Sequence, residues 1–304
     1  MDLCNCLVFE LRPSHFHFAR PLFKDVWADR ALLDSVFEGH CVARIFVDAV
    51  PEPTAVLLCE QEGNYYLAGD SSPGFVRQFV KDMPAEAEVF DHAQFAYFLP
   101  DVSWVQTLKE DFQGALRIHK TRSFRFVGST IKLLDFWKED TRKDIQVKVI
   151  DADLLNRIAR HDVSICLEFN PGLIEYIFNN QFGYCILVDD KIASVVWAYA
   201  TSSRYASISV DTSESFRRLG LATLGSVALI RKCLNLKLLP IWASLASNKA
   251  SIATALKLGM EEGPAQHKSD LRSLWNHIKA EGGRWSKDVY SADENSIKAI
   301  FRRL

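Results

Sequence analysis

The clearest hydrophobic pattern in the chain is a strand followed closely by a helix. The segment RYASISVD (204–211) alternates small or aliphatic residues and is rich in β-branched ones, which is typical of a strand. The segment LATLGSVALIRKCLNL (221–236) lacks proline and repeats its apolar residues at spacings of three, four and seven. This spacing predicts a mostly buried helix that begins shortly after the strand ends.

More strands are predicted on both sides of this pair. The charged stretch KEDTRKD (138–144) is followed by an alternating strand that runs into a helix. The segments GYCILVDD and KIASVVWAYAT (183–201) predict two strands joined by a tight hairpin at Asp189-Asp190-Lys191. A strand in LKLLPIWASLAS (236–247) completes a strand–helix–strand crossover. Such a crossover predicts that 204–211 and 238–246 are parallel neighbours or near neighbours.

Several further helices are predicted after residue 150. Short helical pieces are expected over 154–181, around the turn at Asn170-Pro171-Gly172. A helix over 249–258 ends at Gly259, which is a suitable C-cap. An amphipathic helix is predicted over 271–278, and a last helix starts at the capping box that begins with Ser291.

The first part of the chain repeats the order of elements found in the second part. Residues 41–80 predict strand, turn, strand, turn, strand and helix, and they align element for element with residues 183–223. This similarity favours a degenerate second copy of the same half-fold, one that lacks the loop between residues 217 and 222. The alternative is that β-hairpins followed by helices are simply common.

Length, composition and charge narrow the class of protein. At 304 residues, the chain is long enough for two domains, predicted here as 1–138 and 139–304, with one large domain as the alternative. It contains 48% hydrophobic and 24% charged residues, which is typical of a soluble globular protein with a sizeable core. The formal net charge is −2 and there is no basic block, so nucleic acid is not an expected partner.

The N-terminal segment and the cysteines indicate a cytoplasmic protein. MDLCNCLVFELRPSH has neither a basic n-region nor a long apolar h-region, so no signal peptide is expected. No apolar stretch of about 18 residues occurs, so no membrane span and no membrane partner are expected. The seven cysteines are odd in number and scattered, which favours a reducing compartment over a disulfide framework.

Two close pairs of metal-binding residue types occur near the N-terminus. The spacings of Cys4-x-Cys6 and His15-x-His17 are not those of zinc sites, and no second ligand pair follows at a suitable distance. Packing of a strand or a helix face accounts better for both pairs, and no metal is predicted.

The loop between the strand at 204–211 and the helix at 221–236 carries the clearest chemical signal. It reads Arg217-x-x-Gly220-x-Ala222, with glycine and a small residue at the start of the helix. Such a start lets a ligand approach the backbone, and its unpaired N–H groups attract phosphate. The chain has neither G-x-x-x-x-G-K-[ST] nor G-x-G-x-x-G after a strand. The main sequence evidence for a nucleoside triphosphate site or a Rossmann dinucleotide site is therefore absent.

With these motifs the chain resembles the GNAT superfamily of acyl-CoA-dependent N-acetyltransferases. The loop matches the family signature [QR]-x-x-G-x-[GA], and PIWASLASNKASIATALKLGM (240–260) matches the second motif, a strand followed by N-x-x-[AS] and G-[FM]. The resemblance covers roughly 145–262, as in a bacterial two-domain subfamily with the GNAT core in its C-terminal half. It implies an α/β (α+β) fold with a mixed, mostly antiparallel central sheet and flanking helices, the acyl-CoA N-acyltransferase fold.

The resemblance also implies acetyl-CoA as cosubstrate and assigns residues to it. Backbone groups near Val210 and Thr212 would pair with pantetheine. Asn248 and Ser251 would lie beside it, although Asn248 is a good helix N-cap whatever the function. The loop amides that would bind the pyrophosphate belong to seven consecutive residues: Arg217, Arg218, Leu219, Gly220, Leu221, Ala222 and Thr223.

The acid and base groups of the family pattern are missing. Many family members have a tyrosine four residues before the glycine of the second motif, where this chain has Ala255. Many also have a glutamate on the strand before the loop, whereas this strand has no carboxylate until Asp211. The candidate catalytic residues are therefore Asp211, Glu168 and Tyr199. Further candidates are Glu214 as base, and Tyr205 and Ser251 as acids.

Three functions follow from this sequence. The first is an acetyl-CoA-dependent N-acetyltransferase, in which a primary amine of a small molecule or protein attacks the thioester directly. The second is a catalytically silent acyl-CoA-binding or interaction protein, and the third is a purely structural protein. Three roles stay open for the N-terminal block: binding the acceptor, forming a homodimer, and buttressing the core.

Overall fold

The computed structural model describes residues 8–24, 27–60, 64–71, 75, 95–98, 102–111, 118–128, 144–160 and 182–269. Several predicted features lie outside these residues: the turn at Asn170, most of the 154–181 region, and the two helices predicted after residue 270.

A single mixed sheet of thirteen strands organises the described residues. Its order is β1-β2-β3-β4-β5-β13-β6-β11-β10-β9-β8-β7, and β12 also pairs with β6. Among the described strands, β4 and β5 are parallel, β10 and β11 are parallel, and the other pairs are antiparallel. The predicted mixed, mostly antiparallel sheet is confirmed. The strands are β1 (Phe9–Leu11), β2 (Ala43–Val47), β3 (Ala55–Glu60), β4 (Asn64–Gly69), β5 (Phe95–Phe98), β6 (Ile118–Phe126), β7 (Ile145–Val149), β8 (Gly183–Val188), β9 (Lys191–Thr201), β10 (Tyr205–Thr212), β11 (Leu239–Leu245), β12 (Met260–Glu262) and β13 (Gln266–Ser269).

Helices cover both faces of this sheet. The helix α4 packs on β8, β9 and β10, and its Val227 shares a core with Val196 and Ile208. The helix α1 packs on the opposite face of β9 and β10, where its residues join a second core that contains Ala200 and Ile241. The described α-helices are α1 (Arg30–Phe37), α2 (Val102–Asp111), α3 (Ala152–Arg160), α4 (Leu221–Asn235) and α5 (Lys249–Lys257), and short 3-10 helices cover Pro13–Phe18, Arg20–Phe23 and Glu214–Phe216.

Local predictions around the C-terminal motifs are confirmed. The hairpin between β8 and β9 turns at Asp189 and Asp190, which both have positive φ (47° and 61°), as a two-residue type I′ turn requires. The helix α5 is followed by Gly259 at φ 81°, the left-handed conformation of a helix C-cap. The predicted parallel neighbours are β10 and β11, which pair from Tyr205–Leu239 to Ser207–Ile241.

A bulge in β9 changes which face its residues cover. The register jumps from Ala200–Ser207 to Ala198–Ile208, so Tyr199 has no residue opposite it on β10. Because of this extra residue, Tyr199 and Ala200 both lie on the face that α1 covers, although adjacent strand residues normally alternate.

The two halves of the chain exchange strands. β6, from the first half, lies between β13 and β11, and β13, from the second half, lies between β5 and β6. The order β1-β2-β3-β4-β5 also parallels β7-β8-β9-β10-β11, since each series ends in a parallel pair. The degenerate repeat and the division at 138/139 stay predictions, and that boundary lies outside the described residues.

Candidate active site

The two parallel strands β10 and β11 separate partway along their length. Their ladder ends at Ser207 and Ile241, although β10 continues to Thr212 and β11 continues to Leu245. Beyond that point, among the strands that the structure describes, β10 pairs only with β9, and β11 pairs only with β6. The structure therefore has a wedge-shaped opening in the middle of its sheet, with a strand edge on each side.

The edge of β10 that faces this opening has backbone groups available for hydrogen bonding. The N–H of Ser213, just after β10, donates to the carbonyl oxygen of Ala193 on the β9 side at 3.0 Å. Because backbone groups of alternate residues point to opposite edges, those of Val210 and Thr212 point towards β11. The N–H of Thr212 donates to Oδ1 of Asp211 at 2.7 Å, whereas Val210 has no ladder partner there among the described residues.

The loop that follows β10 places helix amides beside the opening. Arg218 and Gly220 both have a left-handed backbone, at φ 66° and 78°. Gly220 is the N-cap of α4, and the first helical hydrogen bond from this end runs from the Leu224 N–H to the Gly220 carbonyl oxygen. Within the described part of the chain, the N–H groups of Leu221, Ala222 and Thr223 have no acceptor, as is normal for a first helical turn.

The space around Gly220 is open. A Cβ atom added there would have no heavy atom of another described residue within 4 Å. Arg217, Arg218 and Leu219 are exposed, and Nε of Arg217 donates to the carbonyl oxygen of Thr212 at 3.3 Å. This loop therefore offers unpaired N–H groups and two guanidinium groups to an anion, which is the chemistry that binds pyrophosphate.

The helical part of the second motif begins shortly after β11 ends. Oδ1 of Asn248 accepts the N–H of Ser251 at 3.1 Å and so caps α5. Oγ of Ser251 accepts Nε1–H of Trp242 at 3.0 Å, and Trp242 is buried in the core beneath α4 and α5. Both side chains therefore stabilise the start of α5, and their contact with a cofactor stays a prediction.

The predicted catalytic residues occupy different surroundings. Asp211 is half-buried on β10, beside the opening, where its carboxylate accepts a hydrogen bond from the N–H of Thr212. Tyr199 lies on the α1 face, and its hydroxyl donates to Oδ1 of Asp29. Glu168 lies outside the described residues. Ala255 is fully buried within the core, so no hydroxyl comes from that position.

Sequence reasoning missed one buried carboxylate, that of Asp29. Only 5% of Asp29 is exposed, and burial raises its pKa, although the Tyr199 hydroxyl, the Lys268 charge and Tyr66 oppose that rise. Burial also lowers the pKa of the Lys268 ammonium, whereas the Asp29 charge raises it. In the sequence Asp29 resembles an ordinary N-cap of α1, but its side chain does not cap that helix.

Neither a metal site nor a membrane-spanning helix is found in the described segments. They contain no group of three or more His, Cys, Asp or Glu side chains that could hold a metal ion. None of their helices has the length and hydropathy that a membrane span requires.

Comparisons with known proteins agree with this geometry. The profile of the family described as GNAT acetyltransferase matches residues 20–264. The chain is 22% identical over 252 residues to the uncharacterized N-acetyltransferase YdfB of Bacillus subtilis, covering 83% of this chain and 94% of that protein.

Solved structures show the same fold. One is a GCN5-related N-acetyltransferase-like protein from Streptococcus suis, with 23% identity, a TM-score of 0.64, and coverage of 84% of this chain and 98% of that one. Another is a GCN5-related N-acetyltransferase from Sphaerobacter thermophilus, with 14% identity, a TM-score of 0.55, and coverage of 86% and 94%. Because the family profile spans most of the chain, this protein belongs to the GNAT acetyltransferase family and is an acetyltransferase.

Proposed function

We propose that this protein transfers an acetyl group from acetyl-CoA to a primary amine of a small molecule or a protein. The observation that carries the proposal is the opening between β10 and β11, next to the unpaired amides at the start of α4. A thiol cofactor with a long amide-containing arm and a pyrophosphate needs both features: a strand edge for its amides and a helix start for its charge.

The residues at this site fit coenzyme A. The amides of Leu221, Ala222 and Thr223 would hold the pyrophosphate, with Arg217 and Arg218 nearby. The open space at Gly220 allows phosphate oxygens to approach the backbone. The edge of β10 at Val210 would pair with the pantetheine amides.

The chemistry proposed for these residues is a direct transfer. Bound acetyl-CoA would supply an activated thioester: the acceptor amine would add to its carbonyl carbon, and the C–S bond would then break. Coenzyme A would leave as a thiolate, which water can protonate because a free thiol has a pKa of about 8.5. A β10 amide in the opening would donate to the carbonyl oxygen while negative charge develops there. Asp211 would take the proton that the amine loses. We assign this role to Asp211 because, of the carboxylates predicted to be catalytic, it is the one that lies beside the opening in the described structure. A cytoplasmic location and a homodimer stay part of the proposal.

Calorimetric titration of the purified chain with acetyl-CoA and with coenzyme A tests the cofactor. We expect dissociation constants in the micromolar range for both. A folded protein that shows no heat of binding with either compound would contradict the proposed site.

Replacing Asp211 by Asn tests the base. The amide oxygen of Asn can still accept the Thr212 N–H, so we expect unchanged acetyl-CoA binding and a kcat about a hundredfold lower. The measurement is acetyl transfer over pH 6–9 alongside calorimetry. Equal rates for the variant and the wild type across that range would remove Asp211 from this role.

The second candidate function is a catalytically silent acyl-CoA-binding protein. Ala255 in place of the family's tyrosine and the lack of a glutamate on β10 favour it. It predicts the same cofactor binding without transfer to any amine, so the two functions differ only in the transfer assay.

A further inference from the structure

The segment before α1 lies across β6 and the connection between β12 and β13. The Arg125 guanidinium of β6 stacks over the Trp27 ring, 4.4 Å from its centroid. A Cβ atom added to Gly263, between β12 and β13, would lie 2.1 Å from a ring carbon of Trp27, so the ring packs directly on that glycine. These contacts fix residues 27–29 against the α1 face of the sheet.

This segment brings the carboxylate of Asp29 to the base of the opening. Asp29 has a left-handed backbone at φ 54°, and its Oδ1 accepts the hydroxyl of Tyr199. Tyr199 is the extra residue of the β9 bulge, next to Ala200, which pairs with Ser207. Ser207 is also where the ladder between β10 and β11 ends. The carboxylate therefore lies near the point from which the two strands diverge.

Several buried polar groups on the same face lack partners. Gln266 on β13 and Thr121 on β6 are opposite each other in the ladder and are 1% and 3% exposed. Neither the amide of Gln266 nor the hydroxyl of Thr121 has a hydrogen-bond partner in the described structure, and the same holds for Oγ of Ser207. Oδ2 of Asp29 has no donor within hydrogen-bond distance among the described residues, although the Tyr66 hydroxyl also acts on this carboxylate. A buried polar group without a partner costs on the order of 1–3 kcal/mol, so a set of them on one face calls for an explanation.

These groups lie on the same face of the sheet, the face that α1 covers, and we call them the Asp29 cluster: Asp29, Thr121, Ser207 and Gln266. Lys268, whose charge acts on Asp29, is two residues from Gln266 on the same face of β13. Ser207 shares that face, since it pairs with Ala200 and Ile241, which belong to the core under α1. The cluster combines a carboxylate, a carboxamide and two hydroxyl groups.

We propose that the Asp29 cluster is the acceptor site, and that it binds a small amine carrying a second group able to donate and accept hydrogen bonds. This inference rests on the proposed function. Oδ2 of Asp29 accepts from the amine, while Gln266 and Thr121 bind the second group, which has the chemistry of a carboxamide or carboxylate. Because all four residues are buried within the chain itself, the cluster suits a small molecule better than a side chain on another folded protein.

Amines of matched length test this assignment. The probes are glycinamide, β-alaninamide and 4-aminobutanamide, each compared with the alkylamine of equal length, and the assay is thiol release from acetyl-CoA. For at least one length, we expect kcat/KM to be about tenfold or more higher for the amide than for the alkylamine, since an unmet polar group in the site penalises the alkylamine.

Two variants separate recognition of the second group from recognition of the amine. Gln266→Leu should abolish the preference for the amide without lowering the melting temperature, because it removes buried unpaired groups. Asp29→Asn, which still has an oxygen for Tyr199, should lower kcat/KM about tenfold or more for amides and alkylamines alike. Neither change should alter the dissociation constant of coenzyme A. Ser226→Ala, which removes a buried unpaired hydroxyl on α4, is the matched control. It should change neither kcat/KM for these amines nor the dissociation constant of coenzyme A.

Three results would overturn the assignment. The first is acetylation with the same amide preference in wild type and Gln266→Leu. The second is acetylation to which Asp29→Asn makes no difference. The third is coenzyme A binding without acetylation of any of these amines. That result would contradict the assignment of the acceptor site but not the proposed cofactor site. Absence of coenzyme A binding would instead contradict the proposed function, and this inference with it.

Discussion

Replacing Gly220 by Glu is expected to weaken acetyl-CoA binding about a thousandfold or more while leaving the protein folded. A side chain at this position would project into open space, since an added Cβ has no heavy atom of another described residue within 4 Å. That space is where the pyrophosphate would lie, and like charges brought together in a binding site cost several kcal/mol. Calorimetry with acetyl-CoA, and a thermal melt of the variant, measure the two effects.

The controls for this experiment are Gly220→Ala and Gly220→Gln. All three variants must hold a side chain at φ 78°, which costs on the order of 1 kcal/mol, so this strain cancels in the comparison. Alanine reports the strain alone, and glutamine adds the bulk without the charge. If a folded Gly220→Glu variant bound acetyl-CoA as tightly as Gly220→Ala, the pyrophosphate would not lie at this loop.

Replacing Gly225 by Leu is expected to lower the free energy of unfolding by about 3 kcal/mol. Gly225 lies on the buried face of α4, and an added Cβ would be 2.4 Å from Cδ1 of Ile186 and 2.7 Å from Cγ2 of Val196. The gain of about 1 kcal/mol in helix propensity is smaller than the cost of overpacking this core. Denaturant unfolding of wild type and variant measures the difference.

The neighbouring residue supplies a comparison. Ser226→Ala removes a fully buried hydroxyl that has no partner in the described structure, so its unfolding free energy should stay equal or rise. A Gly225→Leu variant as stable as wild type would mean that α4 does not pack this closely on β8 and β9.

Local patterns determined the elements of the proposed cofactor site. The strand at 204–211, the helix at 221–236 and the hairpin at Asp189-Asp190 agree with β10, α4 and the type I′ turn within one or two residues. The reason is that side-chain periodicity and turn conformation depend on residues only two to four positions apart. The loop motif could be found for the same reason, because the strand, the eight residues after it and the helix are contiguous in the chain.

The sequence did not reveal which strands pair across the two halves. β6 lies beside β11, and β13 lies beside β5, although the partners in each pair are more than a hundred residues apart. An alternating segment shows that a strand has one buried face, but it does not show which strand covers its edge. The predicted domains, 1–138 and 139–304, are contiguous segments of the chain. A division into contiguous segments does not predict that strands are exchanged between them.

The role of Asp29 is a second matter that only the tertiary structure decided. An aspartate directly before a helix predicts an N-cap, which would leave its carboxylate near solvent. In the fold it accepts a hydrogen bond from Tyr199, 170 positions away, and lies buried beside Lys268.

By itself, then, the sequence determined the family, the strand and helix of the proposed cofactor loop, and the lack of the usual acid and base. Only the tertiary structure decided where β10 and β11 separate, which is after Ser207, and that the first half of the chain contributes a carboxylate near that point. The physical reason is the separation along the chain between the residues that interact. Hydrogen bonds within a turn or helix depend on neighbours in the chain, whereas burial and pairing across a sheet depend on residues that meet only after folding.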